Sequence, residues 1–136
     1  MAACALVHTT SMVIIAESLI KRRHDFAEHR DARITAIVLS AVFGIVILLH
    51  FAEVMIWAIT YYSLGLFNDF LTSLDFSFGS YTTNSAPDIQ LPVEWKLLGQ
   101  IESIAGALLY GLSTAFLFLL IHKMFEIRHA ASQKKG

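Results

Sequence analysis

This chain of 136 residues is poor in the residues that staple, break or charge a backbone: it has one cysteine, two prolines, and charged side chains at only 15% of positions. The lone Cys4 excludes an internal disulfide and any multi-cysteine metal site within one chain. Both prolines, Pro87 and Pro92, fall in one short stretch, so the rest of the chain is free to be helical. No glycine-rich phosphate loop and no nucleophile beside a base is present, which argues against an enzyme. The net charge of −1 gives no bulk attraction for nucleic acid. No Lys or Arg precedes the first apolar run and no small-residue cleavage pattern follows it, so a signal peptide is not indicated. There is no linker composition and no internal repeat.

What is abundant is apolar: 56% of residues are hydrophobic and the mean hydropathy is +0.61. Ile34–Ala52 and Ser103–Ile121 carry no charge, and each runs for about 19 residues, near the ~20 needed to cross the hydrocarbon core as a helix. Ala2–Ile20 is a third candidate, less apolar because it holds His8, Thr9, Thr10, Ser11 and Glu17; a surface-lying amphipathic helix is its rival reading. The basic residues are distributed unevenly. Lys21, Arg22, Arg23, Arg30 and Arg33 separate the first two apolar runs, and Lys123, Arg128, Lys134 and Lys135 follow the last. Only Lys96 lies between the second and third. The positive-inside rule then expects a multi-pass protein with its C-terminus in the cytoplasm and its N-terminus outside. The outward stretch 62–96 carries Asp69, Asp75, Asp88 and Glu94, which would attract cations.

The expected organisation is an N-terminal helix and cytoplasmic loop over 1–31, a long helix over 32–62, and a short helix over 68–81. An irregular loop at 82–88, a last helix over 94–125 and a polar, frayed tail over 128–136 complete it. Trp57, Tyr61 and Tyr62 suit the aromatic belt of a membrane interface, Gly65 breaks the second helix, and Asn68 or Asp69 caps the short one.

Several motifs in this layout resemble the potassium-channel family. Ser80-Tyr81-Thr82-Thr83 and Asp88 stand where that family reads S-Y-T-T-x-G-Y-G-D, with Phe76-Ser77 ahead of the paired threonines. Trp95-Lys96-Leu97-Leu98-Gly99-Gln100-Ile101-Glu102 is similar to the stretch that follows the filter in small bacterial ion-channel proteins with an extra N-terminal helix. Ile104–Ala115 resembles their pore-lining helix. The resemblance covers roughly residues 34–125 and implies an all-α membrane fold: outer helix, re-entrant pore helix, filter loop and inner helix, plus one N-terminal transmembrane helix. It also implies a homotetramer in a bacterial plasma membrane, hinge-type glycines at Gly106 and Gly111, and an ion pathway along Thr82, Thr83, Asn84, Ser85, Ala86, Pro87 and Asp88. No cofactor is implied beyond monovalent or divalent cations in the pore, and the partners are further copies of the chain and the lipid bilayer.

The departure lies at Ser85-Ala86-Pro87, which replaces G-Y-G. A potassium filter stacks rings of backbone carbonyls, and its glycines take positive φ to keep those carbonyls pointed inward. Ser85 would adopt that conformation at a cost of roughly 1–2 kcal/mol. Pro87 has φ fixed near −65° and holds Ala86 extended, so the usual path is closed there. Two readings follow: a cation channel with weak or altered selectivity, or a non-conducting scaffold or sensor that kept the fold. The lack of a ligand domain or an arginine-rich sensor helix argues against nucleotide or strong voltage gating.

A third reading concerns ionisable residues at membrane depth, where such groups default to functional suspicion. His50 and Glu53 are spaced i, i+3 on one helix face, and His8, Glu17 and Glu102 are further ionisable groups at or near membrane depth. His with carboxylate ligates Zn²⁺; the alternative is a buried hydrogen-bonded network that fixes helix packing.

Overall fold

The computed structural model of this chain describes residues 2–21, 32–84 and 88–133. Among the described residues, four α-helices follow in order: α1 (Ala2–Lys21), α2 (Ala32–Ser63), α3 (Phe70–Tyr81) and α4 (Lys96–Gln133), with a 3-10 turn at Val93–Trp95 leading into α4. The expected cytoplasmic loop around His24–Asp31, the residues Ser85, Ala86 and Pro87, and the terminal Lys134–Gly136 lie outside the described residues.

The segments Cys4–Lys21, Arg33–Ser63 and Val93–Glu126 are each long and apolar enough to cross a membrane. Each long helix buries one narrow stripe. On α1 the stripe is Cys4, His8 and Met12, spaced by four. On α2 it runs Val42, Val46, His50, Glu53, Val54, Trp57, Ala58 and Tyr61, and on α4 it includes Glu102, Ala105, Leu109 and Ser113. These spacings of three and four place each set on one helix face. The remaining faces expose large apolar side chains, among them Ile37, Leu48, Ile59, Leu108 and Phe118. Such faces suit lipid or further apolar protein. In hydrocarbon, helices associate through packing and interhelical hydrogen bonds rather than through exclusion of water, which makes the polar content of the buried stripes important.

The short α3 sits against both α2 and α4. Asp69 caps its start: one carboxylate oxygen accepts from the Thr72 N–H at 2.8 Å and the other from the Thr72 hydroxyl at 2.7 Å. Of the two expected caps, Asp69 is the one used, since its φ of −141° and ψ of 158° bring the carboxylate over the free N–H groups. An aromatic cluster joins α3 to the outer end of α2. Phe76 meets Tyr61 edge-on at 5.1 Å and Phe67 at 5.2 Å, and Trp57 stacks on Tyr61 at 6.0 Å.

α2 and α3 both end in a Schellman turn, in which two reversed N–H bonds satisfy carbonyls of the last turn. At the end of α2, Gly65 donates to the Tyr62 carbonyl at 3.0 Å and Leu66 to Tyr61 at 3.1 Å. At the end of α3, Thr83 donates to Ser80 at 3.1 Å and Asn84 to Gly79 at 2.7 Å.

Four expected boundaries move: α3 starts at Phe70 rather than 68, and α4 at Lys96 rather than 94, after the 3-10 turn. α2 continues one residue further, to Ser63. α4 runs through the expected polar tail to Gln133 rather than stopping at 125. Residues 126–133 contain neither Gly nor Pro, and Ala130 and Ala131 favour helix, so polar composition alone does not end the helix there.

Candidate functional site

The buried stripes bring a set of polar side chains to one place. His8 from α1, His50 and Glu53 from α2, Tyr81 from α3 and Ser113 from α4 form one network. His8 Nδ1 lies 2.8 Å from Glu53 Oε1, and His8 Nε2 lies 2.9 Å from Ser113 Oγ. His50 repeats this orientation: its Nδ1 lies 2.9 Å from the Tyr81 hydroxyl and 3.3 Å from Glu53 Oε2, and its Nε2 lies 3.0 Å from Ser113 Oγ. Tyr81 donates to Glu53 Oε2. The two imidazole rings are 5.0 Å apart, and the Tyr110 ring covers His50 at 4.5 Å. His8 and Glu53 are fully buried and His50 nearly so. An unpaired polar group here would cost several kcal/mol, so contact between all four helices is tied to this network.

Of the ionisable residues singled out in the sequence, the structure gathers three. His8, His50 and Glu53 each offer a ligand atom within 4.8 Å of the others. Glu102 belongs instead to a second cluster. It accepts from the Tyr61 hydroxyl at 2.6 Å and from the Ser77 hydroxyl at 2.6 Å, while Ser77 Oγ also reaches the Val54 carbonyl at 2.9 Å. Its separation follows from helix geometry. Glu102 lies three turns before Ser113 on α4, and α2 answers it with Tyr61 rather than Glu53.

Tyr81, Ser113, Tyr61 and Ser77 are partners that sequence reasoning missed. The available signal was spacing: Glu53, Trp57 and Tyr61 repeat at four, and Glu102, Gly106, Leu109 and Ser113 repeat at four, three and four.

The loop after α3 starts from a strained residue. Thr83 has φ of 57°, the left-handed region that a β-branched side chain avoids. The Thr82 hydroxyl donates to the Phe78 carbonyl at 2.7 Å and is spent on the cap. Thr83, Asn84 and Asp88 are exposed in the single chain and Thr82 is partly so; Ser85, Ala86 and Pro87 lie outside the described residues. α4 holds the end of α3 from the other side. Ser103 donates to the Ser80 carbonyl at 2.6 Å, and Gly106 lies so close that a methyl there would strike the Tyr81 carbonyl oxygen. Gly106 thus has a packing reason to be glycine, whereas a methyl at Gly111 would meet open space. α4 runs unbroken through both.

The Asp69 carboxyl at the start of α3 is held below its ordinary value, mainly by the Thr72 N–H and then by the Thr72 hydroxyl. A scan against protein-family models, a search of curated proteins and a search of solved structures each found no match to this chain.

Proposed function

We propose that this chain is the pore-forming subunit of a homotetrameric cation channel, related in plan to potassium channels and altered in potassium selectivity. It would lie in a bacterial plasma membrane with its C-terminus in the cytoplasm. The observation that carries this reading is the turn at Thr82–Asn84. A helix too short to span, α3, is wedged between two long apolar helices and ends in a strained, exposed polar turn. Irregular polar backbone at membrane depth is tolerated where protein buries it or where it lines water. Further copies of the chain around a central pore supply both conditions, and the large exposed apolar faces of α2 and α4 suit those copies and the surrounding lipid.

In this reading α3 points its C-terminal end, which carries partial negative charge, toward the pore and favours a cation there. Asp88, exposed just beyond the loop, adds an acidic ring. Four copies of Asn84 and Asp88 would give oxygen-rich rings that suit hydrated cations, Ca²⁺ and Mg²⁺ included. Gly106 and Gly111 remain the proposed hinge positions of the inner helix.

Planar-bilayer recording in mixed K⁺ and Na⁺ tests the proposal. Cation currents with little preference between the two are expected. Replacing Ser85-Ala86-Pro87 with Gly-Tyr-Gly is expected to raise the K⁺/Na⁺ permeability ratio. Strong potassium preference in the unaltered chain would refute altered selectivity, and absence of flux for any ion in liposomes would refute conduction.

A further inference from the structure

The geometry points to a buried first-row transition-metal site, of the zinc class, formed by His8 Nδ1, His50 Nδ1 and the Glu53 carboxylate, with the Tyr81 oxygen as fourth donor. It stands independently of the channel reading, because it rests on the helix core and not on the loop.

The first argument is orientation. Both imidazoles turn Nδ1 toward the Glu53–Tyr81 pair and Nε2 toward Ser113 Oγ. Two imidazoles and one carboxylate are a recurring zinc set, and ligating imidazoles commonly donate their other N–H to a fixed oxygen. Ser113 is that oxygen, at 2.9 Å from one ring and 3.0 Å from the other. The three ligand atoms lie within 4.8 Å of one another, so part of the spacing already fits an ion and part has to close up. Two ligands about 2.0–2.1 Å from a tetrahedral ion stand about 3.3 Å apart, the separation already present between His50 Nδ1 and Glu53 Oε2. His8 Nδ1, at 2.8 Å from Glu53 Oε1, and the Tyr81 oxygen, at 2.9 Å from His50 Nδ1 and hydrogen-bonded to Glu53 Oε2, both have to withdraw.

The second argument is a hydrogen count. Apart from the longer 3.3 Å approach of His50 Nδ1 to Glu53 Oε2, five contacts hold the cluster: His8 to Glu53, His8 to Ser113, His50 to Ser113, His50 to Tyr81, and Tyr81 to Glu53. Each needs one hydrogen. Two neutral imidazoles, one phenol and one serine hydroxyl supply four between them. With both rings neutral and Glu53 ionised, one contact therefore sets lone pair against lone pair, which is costly in a buried place, and one further proton or one cation has to enter the cluster to resolve it. A dication among the Nδ1 atoms and the carboxylate removes the conflict. Both rings then carry hydrogen on Nε2, and Ser113 Oγ accepts from both. The Tyr81 proton leaves to solvent when its oxygen binds the ion, and carboxylate plus phenolate neutralise the two positive charges.

The same count identifies a variant that separates metal binding from folding. Glu53→Gln brings the missing hydrogen on its amide nitrogen. His8 then donates to the amide oxygen, the amide donates to Tyr81, Tyr81 to His50, His50 to Ser113, and Ser113 to His8. The variant closes the network without an ion and loses an anionic ligand.

The experiment is a Co²⁺ titration of the chelator-stripped full chain in detergent, read by visible d–d absorption, followed by Zn²⁺ competition and metal analysis. The expected result is one Co²⁺ per chain with the intense bands of four-coordinate geometry, displaced by Zn²⁺. Glu53→Gln and His50→Ala should weaken binding by about 100-fold or more, and Ser113→Ala by about 10- to 100-fold through loss of ligand orientation. Glu102→Gln and His122→Ala, at other sites, should bind as the parent does. The proposal fails if the helical parent binds no Co²⁺, if Glu53→Gln binds as tightly as the parent, or if Glu102→Gln or His122→Ala loses binding equally.

Discussion

Thr83 takes the backbone conformation that Gly65 takes, at the same position of the same kind of turn. Their φ values are 57° and 68°, and each donates its N–H back into the helix it closes. Glycine enters this conformation freely, whereas an L-residue does so at a cost of about 1–2 kcal/mol. The chain thus uses the relaxed residue beside α2 and the strained one at the start of the proposed ion pathway, where stored strain is most often functional.

Thr83→Gly is accordingly expected to stabilise the fold. Relief of roughly 1–2 kcal/mol is partly offset by the extra freedom of glycine in the unfolded chain, leaving a gain of about 0.5–1 kcal/mol. Gly65→Thr has open space around it and only backbone strain to meet, so it should lose about 1 kcal/mol. Unfolding in mixed detergent micelles measures both. Equal effects of the two substitutions, in the same direction, would contradict the assignment.

The helices were legible in sequence because their signals are local. Uncharged apolar runs, Gly65 as a breaker and Asp69 as a cap give α1 to α3 within a residue or two. The end of α4 was not, since a polar composition was read as a helix end although Ala130 and Ala131 propagate helix. The site was half legible. Histidine and glutamate at membrane depth stand out in any sequence, and three of those named converge. Ser113 and Tyr81 were hidden because serine and tyrosine are ordinary in such helices; only the angular position of α4 against α2 selects them. Glu102 was misplaced for the same reason. Membrane depth follows from sequence position along a helix, but partnership requires the facing residue on a neighbour.

Gly106 and Gly111 should respond oppositely to alanine. At Gly106 the added methyl meets the Tyr81 carbonyl and ring, and backbone cannot yield as a side chain would. Overpacking of this kind costs about 1–3 kcal/mol and here also displaces the end of α3. At Gly111 nothing lies in the way, and alanine is the better helix former by about 1 kcal/mol. Thermal stability of the two single variants in one detergent checks the sign of each. A neutral Gly106→Ala would mean that α3 and α4 are further apart than described.

Acid should loosen the start of α3 through Asp69. Its carboxyl is held below the ordinary value by bonds to the Thr72 N–H and hydroxyl, so the ionised form is the one the fold prefers. A depressed value gives stability that is complete above the unfolded-state value and is lost as pH falls through the folded one. The loss therefore begins near the usual aspartate range and finishes below it. Asp69→Asn keeps a capping oxygen but cannot ionise, so it should flatten this part of the acid profile. Amide exchange at Thr72 and Ser73, followed from neutral pH into acid, reads the effect at its source. Identical profiles in parent and variant would rule Asp69 out.

The second cluster should tolerate loss of charge better than loss of a donor. Ser77 Oγ lies within reach of both the Glu102 carboxylate and the Val54 carbonyl, at 2.6 Å and 2.9 Å, and it has one hydrogen to give. In Glu102→Gln the amide nitrogen can face Ser77 Oγ while the Ser77 hydrogen turns to Val54, and the amide oxygen keeps its bond from Tyr61. Each oxygen and nitrogen keeps a partner, although the second amide hydrogen gains none, so the change is expected to cost about 1 kcal/mol or less. Tyr61→Phe removes a donor from a buried carboxylate and should cost about 1–3 kcal/mol. Adding Ser77→Ala strips the other, and because both donors serve one carboxylate the pair should be non-additive by at least about 0.5 kcal/mol. A double-mutant cycle on unfolding free energy resolves this. Strict additivity, or a Glu102→Gln variant less stable than Tyr61→Phe, would show that the Ser77 hydrogen does not switch acceptors.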